Sequence, residues 1–505
     1  MLRQDPATRM PCNTSSPRRR NSTMRRSTIR ENTISLAAGL FLALAGSGAW
    51  AFVPAGGNAD NSRWLSTASG ATGSAGQPIT LTWSFVPDGT PVENFNNFDT
   101  EPSILIQQFD ARFGAGPGGS DLTQRPWFRF FEESLDRISD LAGITYVYEP
   151  NDTLTRHGSG SGVLGLRGDL RIGGIFMDGA GGTLAYNYFP SDSGDMALDT
   201  GDLNSLFANP SNNFRGLRNV IMHEAIHGLG LAHSTSNNAN FLMEAFINVS
   251  FDGPQHDDLR GLHWMYGDAL ESGPNGENTR NETAATASDL GVLTPGLTRS
   301  IGTSGNGVRV GANETDFVSI SNENDIDFFS FTVEAPVELS ASMTPRGATF
   351  NQGANNNLFV TTETNDLSLA IFGPGGSTPL ASSASGAAGD AETIDGLMLT
   401  EPGTYFARVA SESSAPGRVT QFYQLDLLAA AVLQGDYDGN GFVNASDYGV
   451  WLEQFGQTGP GLSADGNGDL VVDGADYALW RNNLTPAAAI AAVPEPAAGL
   501  ACLAA

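Results

Sequence analysis

The chain has 505 residues, more than one ordinary core holds, so several domains are expected, and any of them is large enough to contain a buried site. It carries 26 basic residues, every one an arginine, against 55 acidic residues, and eight of those arginines fall before residue 31. A surface with a formal net charge of −29 argues against a nucleic-acid or anionic-membrane partner and suits an exported, calcium-loaded or salt-tolerant protein.

In chain order, the arginine-rich start to Arg30 precedes the apolar run ISLAAGLFLALAGSGA from Ile34, and Ala49 and Ala51 flank Trp50 as a cleavage signal. Residues 1–51 are therefore expected to be a signal peptide, and no stable transmembrane span is expected in the mature chain because the run is short. Cys12 and Cys502, the two cysteines, stand at opposite ends, which leaves no internal disulfide framework. Residues 52–77, dominated by Gly, Ser, Ala and Asn, are expected to form a flexible lead-in.

A first domain is expected over 78–270. PITLTWSFVP (78–87) alternates like a strand. In WFRFFEESLDRISDLAGITYVYEP (127–150), Phe131, Leu135, Ile138 and Leu141 keep helical spacing until Gly143, after which ITYVY reads as a strand. LRIGGIFMDG (170–179), GGTLAYNYFP (181–190) and DMALD (195–199) supply three more short strands between polar or Gly-rich turns. A helix from about Leu217 to Leu229 follows, then a closing helix from Asp257 to Tyr266, with Asp257 and Asp258 as its acidic cap and Gly267 just past its end.

The first of these two helices carries HEAIHGLGLAH (223–233), which gathers three of the six histidines of the chain into eleven residues. His223 and His227 are four apart, so a helix puts both imidazoles on one face, and Glu224 lies next to the first as a candidate general base. Gly230 lets the chain turn sharply, so that His233 can return as a third ligand. Three histidines without a cysteine leave the fourth position of a tetrahedral zinc open, as catalysis needs, whereas structural sites generally close it with four protein ligands.

The motif HExxHxxGxxH resembles that of the metzincin metalloproteases, and within them the matrixin-like peptidases. Met243 in HSTSNNANFLM is similar to the residue of the family's Met-turn, HDDLRGLHWMYG (256–267) looks like its closing helix, and TLAYNYFPSDSGDMALDT (183–200) looks like its substrate-side strand and calcium-rich turns. The gap from His233 to Met243 is longer than usual, and Glu244 and Ala245 stand where matrixins commonly place a proline. His157 is the only histidine upstream of the motif, so the extra structural-zinc histidines of the family are missing. The resemblance implies an α/β metzincin domain with a twisted mixed sheet and an active-site helix, one catalytic zinc on His223, His227 and His233, Glu224 as general base, and a protein or peptide substrate paired as an added strand along residues 183–187. It also implies calcium near Asp178, Asp195, Asp199 and Asp202.

After a polar linker (271–284), residues 285–430 offer short strand-like pieces, among them FFSFTV (328–333), LSLAIFGP (367–374), GTYFARVA (403–410) and QFYQLDLL, and an all-β sandwich-like accessory domain is expected. The piece NDIDFFSFTV resembles the bacterial domains that follow secreted peptidases.

Residues 431–485 hold an internal repeat with an offset of 29. Oxygen-bearing side chains recur at positions 1, 3, 5, 9 and 12: Asp436, Asp438, Asn440, Asn444 and Asp447, then Asp465, Asn467, Asp469, Asp473 and Asp476. That spacing suits two calcium loops, giving two calcium ions in a small helical module. With Asp at position 12 the pair resembles a type I dockerin, in which helices after each loop, here Tyr448–Phe455 and Tyr477–Asn483, dock a cohesin-like partner. A calcium-stabilised spacer is the alternative. VPEP (493–496) and the short apolar stretch after it, within 486–505, resemble the start of a PEP-CTERM sorting signal and imply a cell-envelope partner. A secreted zinc endopeptidase is thus the expected function. A non-catalytic adhesion or docking protein on the same scaffold is the alternative.

Overall fold

The computed structural model describes residues 52–236, 240–272, 280–352, 357–412 and 420–484. The expected signal peptide, both cysteines and the VPEP tail lie outside these residues. Among the described residues no helix is long and apolar enough to cross a membrane.

The first sheet has five strands in the order Ile144–Tyr148, Ile79–Phe85, Leu170–Ile175, Met196–Asp199, Ala185–Asn187. The first three pairings are parallel and the last is antiparallel, which leaves the short strand 185–187 at an edge. Six of the seven residues of Ile79–Phe85 are buried, because a central parallel strand is covered on both faces. The helix Phe128–Ser139 lays Phe131, Leu135 and Ile138, all fully buried, toward this core. A helix at Leu105–Phe113 was not expected from the sequence; it buries only Leu105 and Phe109, too sparse an apolar stripe for periodicity to reveal.

Residues 52–77 correct the expectation of a flexible lead-in. Phe52, Ala59 and Trp64 are buried in the core of the first domain, and Val53–Pro54 pairs antiparallel with Leu231–Ala232. The indole Nε1 of Trp64 donates to the carbonyl of Gly228 at 2.8 Å. A polar composition concealed two large aromatic anchors, and the glycines between them shape tight turns rather than a free linker.

The second domain is a sandwich of two main sheets. One runs Ser288–Val292, Ile326–Val333, Gly403–Ser411, Leu367–Phe372, Pro379–Ser383; the other runs Thr298–Ile301, Gln421–Ala431, Val337–Arg346, Glu392–Leu399. Along Val337–Arg346 every second side chain is buried, the pattern of a strand with one face on the core. Leu339, Phe331, Leu369 and Leu425 meet in that core with no measurable exposure.

The two domains share buried apolar residues. Val310, Phe317 and Phe422 of the sandwich belong to the same cluster as the core of the first domain. All eleven residues of the closing helix, His256–Tyr266, are consequently buried, and the rings of His256 and His263 each stand 5.1 Å from that of Phe422.

The C-terminal segment has its own small core of Tyr437, Ala464 and Val472 and two helices, Ala445–Gln454 and Gly474–Asn482. Both begin three residues before the expected starts, because the position-9 residues Asn444 and Asp473 are N-caps that each form a capping box with the position-12 aspartate.

Candidate metal centre

The helix carrying HEAIH runs Arg215–Gly228 and is entered through Asn212, Asn213 and Phe214, whose φ angles of 53°, 57° and 57° make a left-handed turn. Every residue of the helix after Arg215 is buried. It ends where the chain reverses at Gly230, with φ of 106°, and a Cβ there would run into the carbonyl of Ser62. The short strand Leu231–Ala232 then returns His233 toward the helix.

Ring centroids of His223, His227 and His233 lie 4.6, 4.7 and 5.2 Å apart. Nδ1 of His223 is 2.7 Å from the carbonyl of Leu242, and Nδ1 of His227 is 2.6 Å from that of Leu231. A carbonyl only accepts, so each Nδ1 carries the proton and each Nε2 presents a lone pair toward the shared space. Nε2 of His223 and His233 approach to 3.2 Å, while Nε2 of His227 has no hydrogen-bond partner. Burial, reinforced by the neighbouring imidazoles, holds His223 and His227 well below their ordinary pKa, and burial brings His233 down to about 3. Three neutral imidazoles whose rings converge, two of them with Nε2 lone pairs fixed by carbonyls, fit a zinc ion.

Glu224 is fully buried, and neither carboxylate oxygen has a hydrogen-bond partner. Burial pushes its pKa up to about 7. An unpartnered carboxylate beside a nitrogen donor set is costly for folding alone and suits proton transfer.

Met243 is buried in the core of the first domain, and its carbonyl accepts from the backbone N–H of Ser234, next to His233, at 2.8 Å. Of Asp257 and Asp258, expected as the helix cap, Asp258 takes part, as the far member of a capping box, and Asp257 does not. The N-cap is Gln255, and the helix starts at His256. Asp258 is the third residue of that helix; besides closing the capping box it accepts from the backbone N–H of Leu242 (2.7 Å) and Met243 (3.1 Å), so it ties the closing helix to the Met243 turn. Asp257 instead pairs with Arg260 at 3.1 Å.

Of the four aspartates expected near calcium in the first domain, Asp178, Asp199 and Asp202 gather around the turn at residues 178–183, close enough to act on one another's charge, although they are not among the groups whose ligand atoms all lie within 4.8 Å of one another. Asp195 is buried against Arg171 (3.6 Å) and accepts from the N–H of Gly158 and Arg171, which gives it a structural task. Asp199 accepts from the N–H of Met177, Gly179 and Gly201, Asp178 from that of Thr183, and Asp202 from that of Gly181. These carboxylates shape turns around residues 178–183 by accepting backbone N–H groups.

Among the described residues, three groups bring potential ligand atoms within 4.8 Å of one another: His223, His227 and His233; Asp436, Asp438 and Asp447; and Glu271, Asp325 and Asp327. The last group was not anticipated. Arg280 spans it, at 2.9 Å from Glu271 and 2.6 Å from Asp325, and only the acidic piece NDID hinted at it in the sequence. In the C-terminal loops Asp436 accepts from the N–H of Asn440 and Gly441, and Asp465 from that of Asp469 and Leu470, so the two copies share one loop geometry. The repeated tryptophans cross-link the copies: Nε1 of Trp451 donates to the carbonyl of Asp473 and Nε1 of Trp480 to that of Asn444.

Residues 169–267, which include the three histidines, Glu224, Met243 and Asp258, match the family model described as matrixin. Over those residues the first domain is matrixin-like. The chain is 35% identical over 112 residues to mouse matrix metalloproteinase-25, covering 21% of this chain and 18% of that protein. It is 38% identical over 97 residues to human matrix metalloproteinase-16, covering 18% of this chain and 15% of that protein. The chain thus spans less than a fifth of the length of these relatives. Residues 325–411 match the bacterial pre-peptidase C-terminal domain, so a separate β-rich domain follows the matrixin domain. The crystal structure of such a domain from a Bacillus anthracis collagenase aligns over 28% of this chain and 91% of its own at 11% identity, with a TM-score of 0.15.

Proposed function

We propose that the chain is an exported zinc-dependent endopeptidase that hydrolyses peptide bonds in extended polypeptides. The observation that carries this reading is the meeting of three neutral imidazoles, two of them held by carbonyls with Nε2 turned to the shared space, with a buried, unpartnered Glu224. Zinc held by His223, His227 and His233 supplies Lewis acidity, lowering the pKa of water and polarising a carbonyl. Glu224 takes the proton of the attacking water and returns it to the leaving amine. The edge strand Ala185–Asn187 offers free backbone groups to an extended substrate, and the contact between Gly228 and Asn187 keeps it close to the helix, since a Cβ on Gly228 would meet Asn187 Nδ2 at 2.7 Å. An adhesion scaffold has no use for a buried carboxylate that folding leaves unpaired, which disfavours the non-catalytic alternative. We further propose that the C-terminal repeat holds two calcium ions and serves as a dockerin-like partner-binding or spacer module.

The test is metal analysis and cleavage of casein or gelatin by the full chain and by Glu224→Gln. Retained zinc with a loss of about 10²-fold or more in kcat in the variant is the expected outcome. A parent protein that binds zinc yet cleaves no member of a broad peptide library would overturn the reading.

A further inference from the structure

We infer that the β-sandwich domain is a positioning element of the metal site, acting on His223 through Phe241 and the Leu242 carbonyl; the inference rests on the zinc reading above. Phe241, only 2% exposed, leaves the matrixin domain and inserts among Val308, Ala348, Phe350 and Phe359 of the second domain, where Phe350 and Phe359 belong to a two-stranded hairpin, Thr349–Gln352 with Asn357–Val360, beside the two main sheets. Its ring meets that of Phe350 edge-on at 5.0 Å. The next residue, Leu242, supplies the carbonyl that accepts from Nδ1 of His223. A peptide group whose neighbour is anchored in another domain has little freedom to rotate, so the hydrogen bond that orients the imidazole is steadied by that hairpin of the second domain.

The far end of the same segment is held from the same side. Nε2 of His256 is 2.9 Å from Oγ1 of Thr361, and the backbone N–H of Val310 donates to Oε1 of Gln255 at 3.0 Å. Between them Arg309 lies over the ring of Phe251, 4.4 Å from its centroid. The stretch from Phe241 to His256 is therefore pinned at both ends by residues outside the matrixin domain. The contacts that hold this segment are distant in sequence, 55 residues for Gln255 with Val310 and 105 for His256 with Thr361.

The experiment compares full-length parent, Phe350→Ala, Phe350→Leu and Phe372→Ala, the last removing a ring that packs on Phe328 away from the seam. Two quantities are measured: zinc affinity by competition with a chromophoric chelator, and amide hydrogen exchange at Leu242 and Met243. Phe350→Ala is expected to weaken zinc about 3- to 10-fold and to speed exchange at both amides. Phe350→Leu should recover part of each change, and it carries the comparison if the alanine variant does not fold. Phe372→Ala should lower the melting temperature without moving either. Zinc affinity and exchange in folded Phe350 variants that match the parent would overturn the inference. If the parent binds no zinc, the functional reading fails, and exchange at Leu242 and Met243 still decides whether the sandwich holds this segment.

Discussion

The seam between the matrixin domain and the sandwich and the C-terminal repeat module are both junctions between units, yet they are built from opposite materials. The seam is largely apolar around the closing helix: Val310, Phe317 and Phe422 enter the matrixin core, His256 and His263 are buried among them, and its buried carboxylates Asp257, Glu271 and Asp325 are met by Arg260 and Arg280. The module draws its order from carboxylates that accept backbone N–H groups around two loops and from a core of three buried residues. Its large apolar side chains Phe442, Leu452 and Phe455 remain exposed. Apolar burial needs no cofactor, whereas a ring of like charges needs a cation, so the seam is expected to be permanent and the module conditional.

The strongest way to break that contrast is deletion. A chain ending at residue 270 would expose the outer face of the closing helix and lose three members of the shared core, and it is expected to be insoluble or to melt without a cooperative transition. A chain ending at 430 should keep the parent melting temperature. Asp258→Ala comes next. It strands the buried N–H groups of Leu242 and Met243, at an expected cost of about 3 kcal/mol or more in unfolding free energy by urea titration. It should also weaken zinc binding about tenfold through the freed Met243 turn.

The three histidines that meet were legible because they sit within eleven residues, His223 and His227 at helical spacing and His233 returned by the reversal at Gly230, where local geometry decides which side chains meet. The role of Asp258 was not: a carboxylate early in a helix reads as a cap, and only the tertiary approach of Leu242 and Met243 gives it a second duty. His256 and His263 carried no signal at all, since their partners Thr361 and Ser319 lie 105 and 56 residues away. In the sandwich, strands rich in aromatic and β-branched residues stood out, but Val337–Arg346, with Glu, Ser and Thr on its outer face, did not. Residues 52–77 show the limit of composition, because Phe52 and Trp64 outweigh the glycines around them.

A smaller effect separates the two junctions by pH. His263 is held neutral, with Nε2 2.6 Å from the carbonyl of Leu141 and Nδ1 2.8 Å from Ser319 Oγ, and burial lowers its pKa to about 4; burial lowers that of His256 to about 3. In both the folded pKa lies below the unfolded value, so the unfolded chain binds more protons between about pH 4 and 6.5. Stability attached to these histidines is complete above about 6.5 and is lost as pH falls, by up to about 1.4 kcal/mol per pH unit for each. His263→Gln should lower stability at pH 7.5 yet flatten this acid limb in urea titrations. An unchanged slope would mean that the seam does not keep His263 neutral.

The smallest effect distinguishes the two loops of the module from one another. The first offers three carboxylates, Asp436, Asp438 and Asp447, and the second four, Asp465, Asp469, Asp473 and Asp476. Ligand charge sets calcium affinity in loops of this kind, so the second is expected to fill first when residues 431–485 are titrated, with Trp451 and Trp480 fluorescence reporting both steps because each indole bonds to the opposite copy. Asp469→Asn equalises the charges and should bring the two steps together. Throughout such a titration of the full chain, the melting transition of the seam should shift by less than about 2 °C, the displacement expected from under about 1 kcal/mol. A larger shift would show calcium acting at the seam itself, where Glu271, Asp325 and Asp327 already surround Arg280, and the division between a permanent junction and a conditional one would fall.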